Sequence, residues 1–188
     1  MVPLKAITCW VAGLVIGGCA TTSKEGGSTP TQADTDSNYV IPEKFECDAK
    51  AGSYGLWKQT LTKGPIRVSG TVRVLEQRRN AEWASNALVL VGIAPKGTGA
   101  SIIFNGTDKF RVELLSHSDL EAGFGAIPAT VEPIPFQVLF DSDGTGSVLV
   151  GGITRKVTLK EGSPLLVSLG CGSSRVLFDH VVVATQSR

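Results

Sequence analysis

The chain has 188 residues, 42% of them hydrophobic and 6% aromatic, with 18 lysines and arginines against 17 aspartates and glutamates. That length is enough for one domain with a real core. A near-neutral chain with no basic run has no long-range field to draw it to nucleic acid, so nucleic-acid binding is set aside as a function class.

In chain order, the first element is an export signal. Lys5 is a lone positive charge ahead of an uncharged stretch, residues 6–18, rich in Val, Ile, Leu, Ala and Gly. About 13 residues, at 1.5 Å each, fall short of the roughly 30 Å hydrocarbon layer and suit the apolar region of a secretory signal. The stretch ends in Ile16-Gly17-Gly18-Cys19. This resembles the bacterial lipobox: a branched apolar residue, two small residues, then a cysteine whose thiolate takes up diacylglycerol. The resemblance implies that residues 1–18 are a signal peptide, that Cys19 carries acyl chains such as palmitate, and that the membrane is a partner through this lipid anchor. Stable anchoring takes two or more acyl chains. Ala20, where an aspartate would resemble an inner-membrane retention signal, points to the outer membrane in a Gram-negative organism. Residues 20–38 are Thr, Ser, Gly, Gln, Asp, Lys and Pro without apolar periodicity. Such a segment buries too little surface to order itself, so residues 19–44 are read as lipidated cysteine plus flexible linker. A tether of that length would hold the domain on the order of 25 Å from the bilayer.

Of the four cysteines, Cys9 lies in the signal and Cys19 is consumed by lipid, which leaves Cys47 and Cys171. An exported pair in an oxidising compartment is most simply a disulfide. It would close a loop of about 125 residues, stabilising the fold by on the order of 4–5 kcal/mol in the chain-entropy model.

From residue 66 onward the pattern has a period near two. Ile66, Val68, Val72 and Val74 alternate with Arg67, Ser69, Thr71 and Arg73; Phe110, Val112 and Leu114 alternate with Lys109, Arg111 and Glu113. Phe136, Val138 and Phe140 repeat the pattern, as do Ile153, Arg155, Val157 and Leu159 against Thr154, Lys156, Thr158 and Lys160. Each is the signature of a half-buried strand. Apolar runs over residues 87–93 and 181–184 read as central strands. Turn chemistry is expected at residues 95–99, Asn105-Gly106, residues 141–144, Gly151-Gly152, residues 161–164 and Gly170-Cys171-Gly172. A helical turn or two is expected only within residues 76–86. Strands at this spacing predict an all-β fold, an antiparallel sandwich or a barrel, for the domain over residues 45–188.

The closing segment, Gly172-Ser173-Ser174-Arg175-Val176-Leu177-Phe178-Asp179-His180-Val181-Val182-Val183, resembles the last strand of concanavalin A-like lectin/glucanase jelly rolls, where a Gly…Val-x-Phe-Asp-x-Val-x-Val strand often ends the domain. Residues 109–115 are similar to a central strand of that sandwich. The resemblance implies a β-sandwich of LamG-like type. It also implies neighbouring first and last strands, which would bring Cys47 near Cys171. It says little about function, because the fold hosts lectins, hydrolases and inert surface modules.

Catalytic signatures are sparse. The Glu-x-Asp-x-Glu strand of the superfamily's hydrolases, whose alternation puts carboxylates on one face, is missing. Glu113, Asp119 and Glu121 are the nearest acidic cluster, with Glu113 on a polar strand face and the others in the following turn. Asp141-Ser142-Asp143-Gly144 invites a calcium reading through Asp141 and Asp143, but later ligand positions hold Thr145, Gly146 and Gly152; a hairpin turn accounts for it. His117 and His180 show no metal-ligand spacing. No catalytic residue, metal or cofactor is assigned. Sugar recognition uses exposed aromatic rings with polar neighbours. The candidates are Trp83 with Arg78, Arg79, Asn80 and Glu82 on a loop between two strands, and Trp57 with Tyr54 near the domain's start. The expectation is a non-catalytic binding or structural module at the envelope, with polysaccharide or an envelope protein as partner. The alternatives are a glycoside hydrolase-like enzyme of the same superfamily and a closed barrel carrying an apolar ligand.

Overall fold

The computed structural model describes residues 40–61, 64–93, 96–104, 107–116, 119–159 and 165–185. Cys9, Cys19 and residues 1–39 of the signal and linker lie outside the described residues. Among the described residues all helical or strand structure is strand: β1 (Phe45–Asp48), β2 (Tyr54–Leu61), β3 (Ile66–Gln77), β4 (Asn86–Ile93), β5 (Lys96–Ile103), β6 (Lys109–Ser116), β7 (Asp119–Pro128), β8 (Ile134–Phe140), β9 (Thr145–Val150), β10 (Ile153–Thr158), β11 (Leu165–Gly172) and β12 (Ser174–Thr185).

These strands form two six-stranded sheets. Sheet I runs β1-β12-β3-β8-β9-β10 and sheet II runs β2-β11-β4-β5-β6-β7. Every pairing is antiparallel. The first strand pairs with the last, Phe45 opposite Phe178. The two sheets do not join, so the closed-barrel alternative gives way to a sandwich.

Alternation sets the core. From sheet I, Phe45, Val68, Val72, Phe136, Val138, Val148, Val176 and Phe178 are buried; from sheet II, Val89, Val91, Ile102, Val112, Val167 and Leu169 are. Each such side chain contributes roughly 1.5–3 kcal/mol by leaving water. Phe178 stacks on Phe45 with centroids 4.9 Å apart and meets Phe136 edge-on at 6.0 Å. The Cys47–Cys171 disulfide, with Cα atoms 6.0 Å apart, ties β1 of sheet I to β11 of sheet II. At the opposite edge, Arg155 of β10 lays its guanidinium over the Phe124 ring of β7 at 5.6 Å.

Several local expectations are corrected. Residues 76–86 form no helical turn: β3 continues to Gln77 and an irregular loop follows. Two glycine-rich stretches read as turns are strands instead. Residues 96–99 open β5, and Gly170-Cys171-Gly172 end β11. The reason is close backbone approach. A Cβ on Gly99 would lie 1.9 Å from the Val89 carbonyl oxygen, and one on Gly170 would lie 2.2 Å from that of Gly55. Asp119 and Glu121 lie in β7, opposite Ser116 and Leu114, not in a turn. The Gly151-Gly152 expectation holds: positive φ at both (54° and 89°) makes the two-residue hairpin turn between β9 and β10. Contacts with the sandwich begin within the stretch read as linker. Ile41 is buried and donates its N–H to Gln59 Oε1 at 2.9 Å, and the Glu43 carbonyl accepts from Val181 N–H at 2.8 Å.

Candidate functional site

The loop after β3 is built around two polar anchors. Arg78 is ion-paired with Asp48 and with Glu76 (2.9 Å), and it donates to the Ala49 carbonyl at 2.8 Å. These carboxylates hold its guanidinium charged, and Arg78 in turn holds Glu76 below the usual carboxylate range. Asn80 closes an Asx turn: its Oδ1 accepts N–H groups from Glu82 at 2.8 Å and from Trp83 at 2.9 Å. Arg78 and Asn80 therefore shape the loop. Arg79 and Glu82 lie exposed upon it.

The anchored loop delivers Trp83 to Tyr54. Their rings are parallel within 5°, with centroids 6.0 Å apart. At that spacing the pair is offset. Trp83 is 41% exposed and Tyr54 62%. Trp57, grouped with Tyr54 in sequence, goes elsewhere. Three positions along a strand reverse the face, and Trp57 tilts against Phe45 at 5.1 Å.

Register adds two residues to the aromatic pair. Tyr54 is opposite Gly172, and Gly172 is opposite Asn86. The Trp83–Tyr54 contact thus spans the end of β11 at a residue without a side chain. A Cβ on Gly172 would lie 3.0 Å from Asn86 Oδ1. That Oδ1 and the neighbouring Ser85 Oγ are buried without hydrogen-bond partners. Orphaned polar groups are rare in folded proteins and call for a partner. The sequence reading missed Asn86 and Gly172 because only strand pairing brings them beside Tyr54.

A concave feature lies on the outer face of sheet I. A cleft of about 370 Å³ is lined by Lys44, Thr71, Arg73, Pro133, Leu177, Asp179 and His180. It forms at a bulge in β12, where pairing with β3 shifts between Asp179 and Val182. His180 sits there in the left-handed region, φ 53°, a conformation that costs a non-glycine residue on the order of 1–2 kcal/mol. The bulge is held from several sides. Asp179 Oδ1 accepts His180 N–H at 2.9 Å, Thr71 Oγ1 donates to the Asp179 carbonyl at 3.3 Å, and Lys44 bonds Asp179 Oδ2 at 2.8 Å. The Lys44 bond holds the Asp179 carboxyl below its usual range. His180 Nδ1 lies 3.6 Å from Asp179 Oδ1, too far for a hydrogen bond, and its side chain is 78% exposed.

At the calcium candidate, Asp143 Oδ1 accepts both the N–H (2.8 Å) and the hydroxyl (2.7 Å) of Thr145, which lowers its pKa and closes the β8–β9 turn. Asp141 contributes backbone groups to the same turn. Among the described residues no group of three or more His, Cys, Asp or Glu side chains is placed to hold a metal ion.

No protein-family model matches the chain, and no curated protein matches it. Solved structures do. The polysaccharide lyase family 18 protein aly-SJ02 superposes with a TM-score of 0.54 at 11% identity, over 81% of this chain and 92% of its own. An alginate lyase from Alteromonas sp. 272 gives 0.54 at 11%, over 82% and 92%. The apo Crh5 transglycosylase gives 0.51 at 10%, over 83% of each chain. Identities this low speak to fold alone, and the fold they share with this chain is a jelly-roll sandwich of two antiparallel sheets.

Proposed function

We propose that this protein is an envelope lipoprotein whose sandwich binds glycan without cleaving it. The observation that carries the reading is the exposed, parallel Tyr54–Trp83 pair. An aromatic face is apolar with a negative quadrupole, suited to the C–H face of a pyranose. The sugar-acting neighbours support a glycan ligand at the level of fold. Of the carboxylates on and beside this loop, Asp48 and Glu76 are bound to Arg78, and Glu82, next to Trp83, is exposed. Support for the anchor is the lipobox-like Ile16-Gly17-Gly18-Cys19, with attachment at the outer membrane.

The test is a glycan array followed by calorimetry on the full chain in non-ionic detergent. Binding should be lost in Trp83→Ala and cut about tenfold in Gly172→Ala, whose methyl would crowd Asn86. Absence of binding to any glycan, or chain shortening of a bound polysaccharide, overturns the reading. Mass spectrometry should find a diacylglyceryl adduct on Cys19; an unmodified thiol there would end the anchor proposal.

A further inference from the structure

The cleft on sheet I lies apart from the Tyr54–Trp83 pair, and its chemistry differs. Two cations, Lys44 and Arg73, face one carboxylate, Asp179. The charges of Lys44, Arg73 and Asp179 sum to one net positive charge. Lys44 is committed to Asp179, whereas Arg73 is exposed with no ion pair among the described residues. In the same row Glu46 is matched by Arg175, so it does not cancel Arg73. No other carboxylate among the described residues lines the cleft.

The backbone gives the second argument. A bulge re-aims a side chain, and strained backbone persists only where its surroundings over-determine it. Here Thr71, Lys44, Glu43 and the side-chain-free Gly70 all fit the bulge, with a Cβ on Gly70 only 3.1 Å from the Asp179 carbonyl oxygen. Glycine or asparagine would take the left-handed position more cheaply. The chain instead places an imidazole there, at the rim of a cleft that also holds a free guanidinium.

We infer that this cleft is a second binding site, specific for the single carboxylate of an acidic sugar. Arg73 would take the carboxylate in the two-pronged geometry a guanidinium offers. His180 Nε2 and Thr71 Oγ1 would meet ring hydroxyls, and Leu177 with Pro133 would supply the apolar wall. One net positive charge matches a monoanion better than the dianion of a phosphate ester. The inference rests on the glycan-binding reading and names a ligand class for a different surface.

The chain has two histidines, so the His180 imidazole Hε1 resonance is readable by NMR in the full chain held in non-ionic detergent. Glucuronate and a short glucuronate oligomer should shift that signal saturably; glucose should not, and acetate, phosphate and sulfate should bind at least about tenfold more weakly. Arg73→Gln should weaken glucuronate about tenfold or more, and calorimetry on His180→Asn, which tolerates the left-handed backbone, should show a smaller loss. Trp83→Ala should leave the glucuronate response intact. The inference is overturned by no saturable His180 shift, by equal binding of acetate or phosphate, by full affinity in Arg73→Gln, or by loss of the response in Trp83→Ala. Neutral oligosaccharide binding that survives in Arg73→Gln and fails in Trp83→Ala reports on the aromatic pair alone, so the two readings fail separately.

Discussion

Trp57 and Trp83 are almost equally exposed, at 38% and 41%, yet they sit in unlike surroundings. Trp57 lies on the core side of β2 and rests on Phe45, which stacks on Phe178 and lies two residues from Cys47 of the inter-sheet disulfide. Trp83 lies on a loop, and its ring partner is an exposed tyrosine on the outer side of the same strand. Fractional exposure does not separate a structural aromatic from a binding one; the partner does. A ring leaning on the core stabilises the fold, whereas a ring stacked on another exposed ring keeps apolar surface in water, a cost that a ligand would remove.

Removing the disulfide should have the largest effect, because it tests the Trp57 region as a whole. With Cys47 and Cys171 at a sequence separation of 124, the double substitution to alanine should lower stability by about 4–5 kcal/mol in denaturant titrations. The Trp83–Tyr54 pair and glycan affinity in native buffer should be retained. The tryptophans themselves come next. Trp57→Ala should cost about 2–3 kcal/mol, less than a fully buried ring would, with little effect on glycan binding. Trp83→Ala should cost about 1 kcal/mol and abolish binding. Equal stability losses would erase the distinction between the two. Asn80→Ala sharpens it: losing the two hydrogen bonds that set the loop should cost about 1 kcal/mol and weaken glycan binding severalfold, although Asn80 need not touch the ligand.

The smallest effect is electrostatic. Lys44 lowers the pKa of Asp179, and Arg78 that of Glu76. A carboxyl whose folded-state value is depressed adds stability at pH above its ordinary range, and loses it as pH falls through the lower folded-state value. Lys44→Met should therefore move the acid-unfolding midpoint slightly toward neutral pH, as followed by circular dichroism. Because these groups are exposed, salt should shrink the shift.

Much of the architecture was legible along the chain. Alternation at residues 66–74, 109–114, 136–140 and 153–159 marked β3, β6, β8 and β10, and the glycine pair at 151–152 marked its hairpin. Glycine misled where two strands approach closely, since Gly99 and Gly170 sit within strands and look like turns in a linear reading. The candidate site was half legible. The loop carrying Trp83 stood out by composition, but its two anchors, Arg78 and Asn80, read as ligand contacts. The cleft at His180 left no trace, because it depends on a register shift between β12 and β3.

By itself the sequence determined the all-β class, the pairing of Cys47 with Cys171 and the inward positions of most strands. These follow from period-two alternation and from cysteine chemistry, both local or compositional. Only the tertiary structure decided which exposed side chains come together: Tyr54 stacks on Trp83, and Arg73 and His180, from the neighbouring strands β3 and β12, line one cleft. Those neighbours are set by strand order and register, to which distant residues contribute through the shared core.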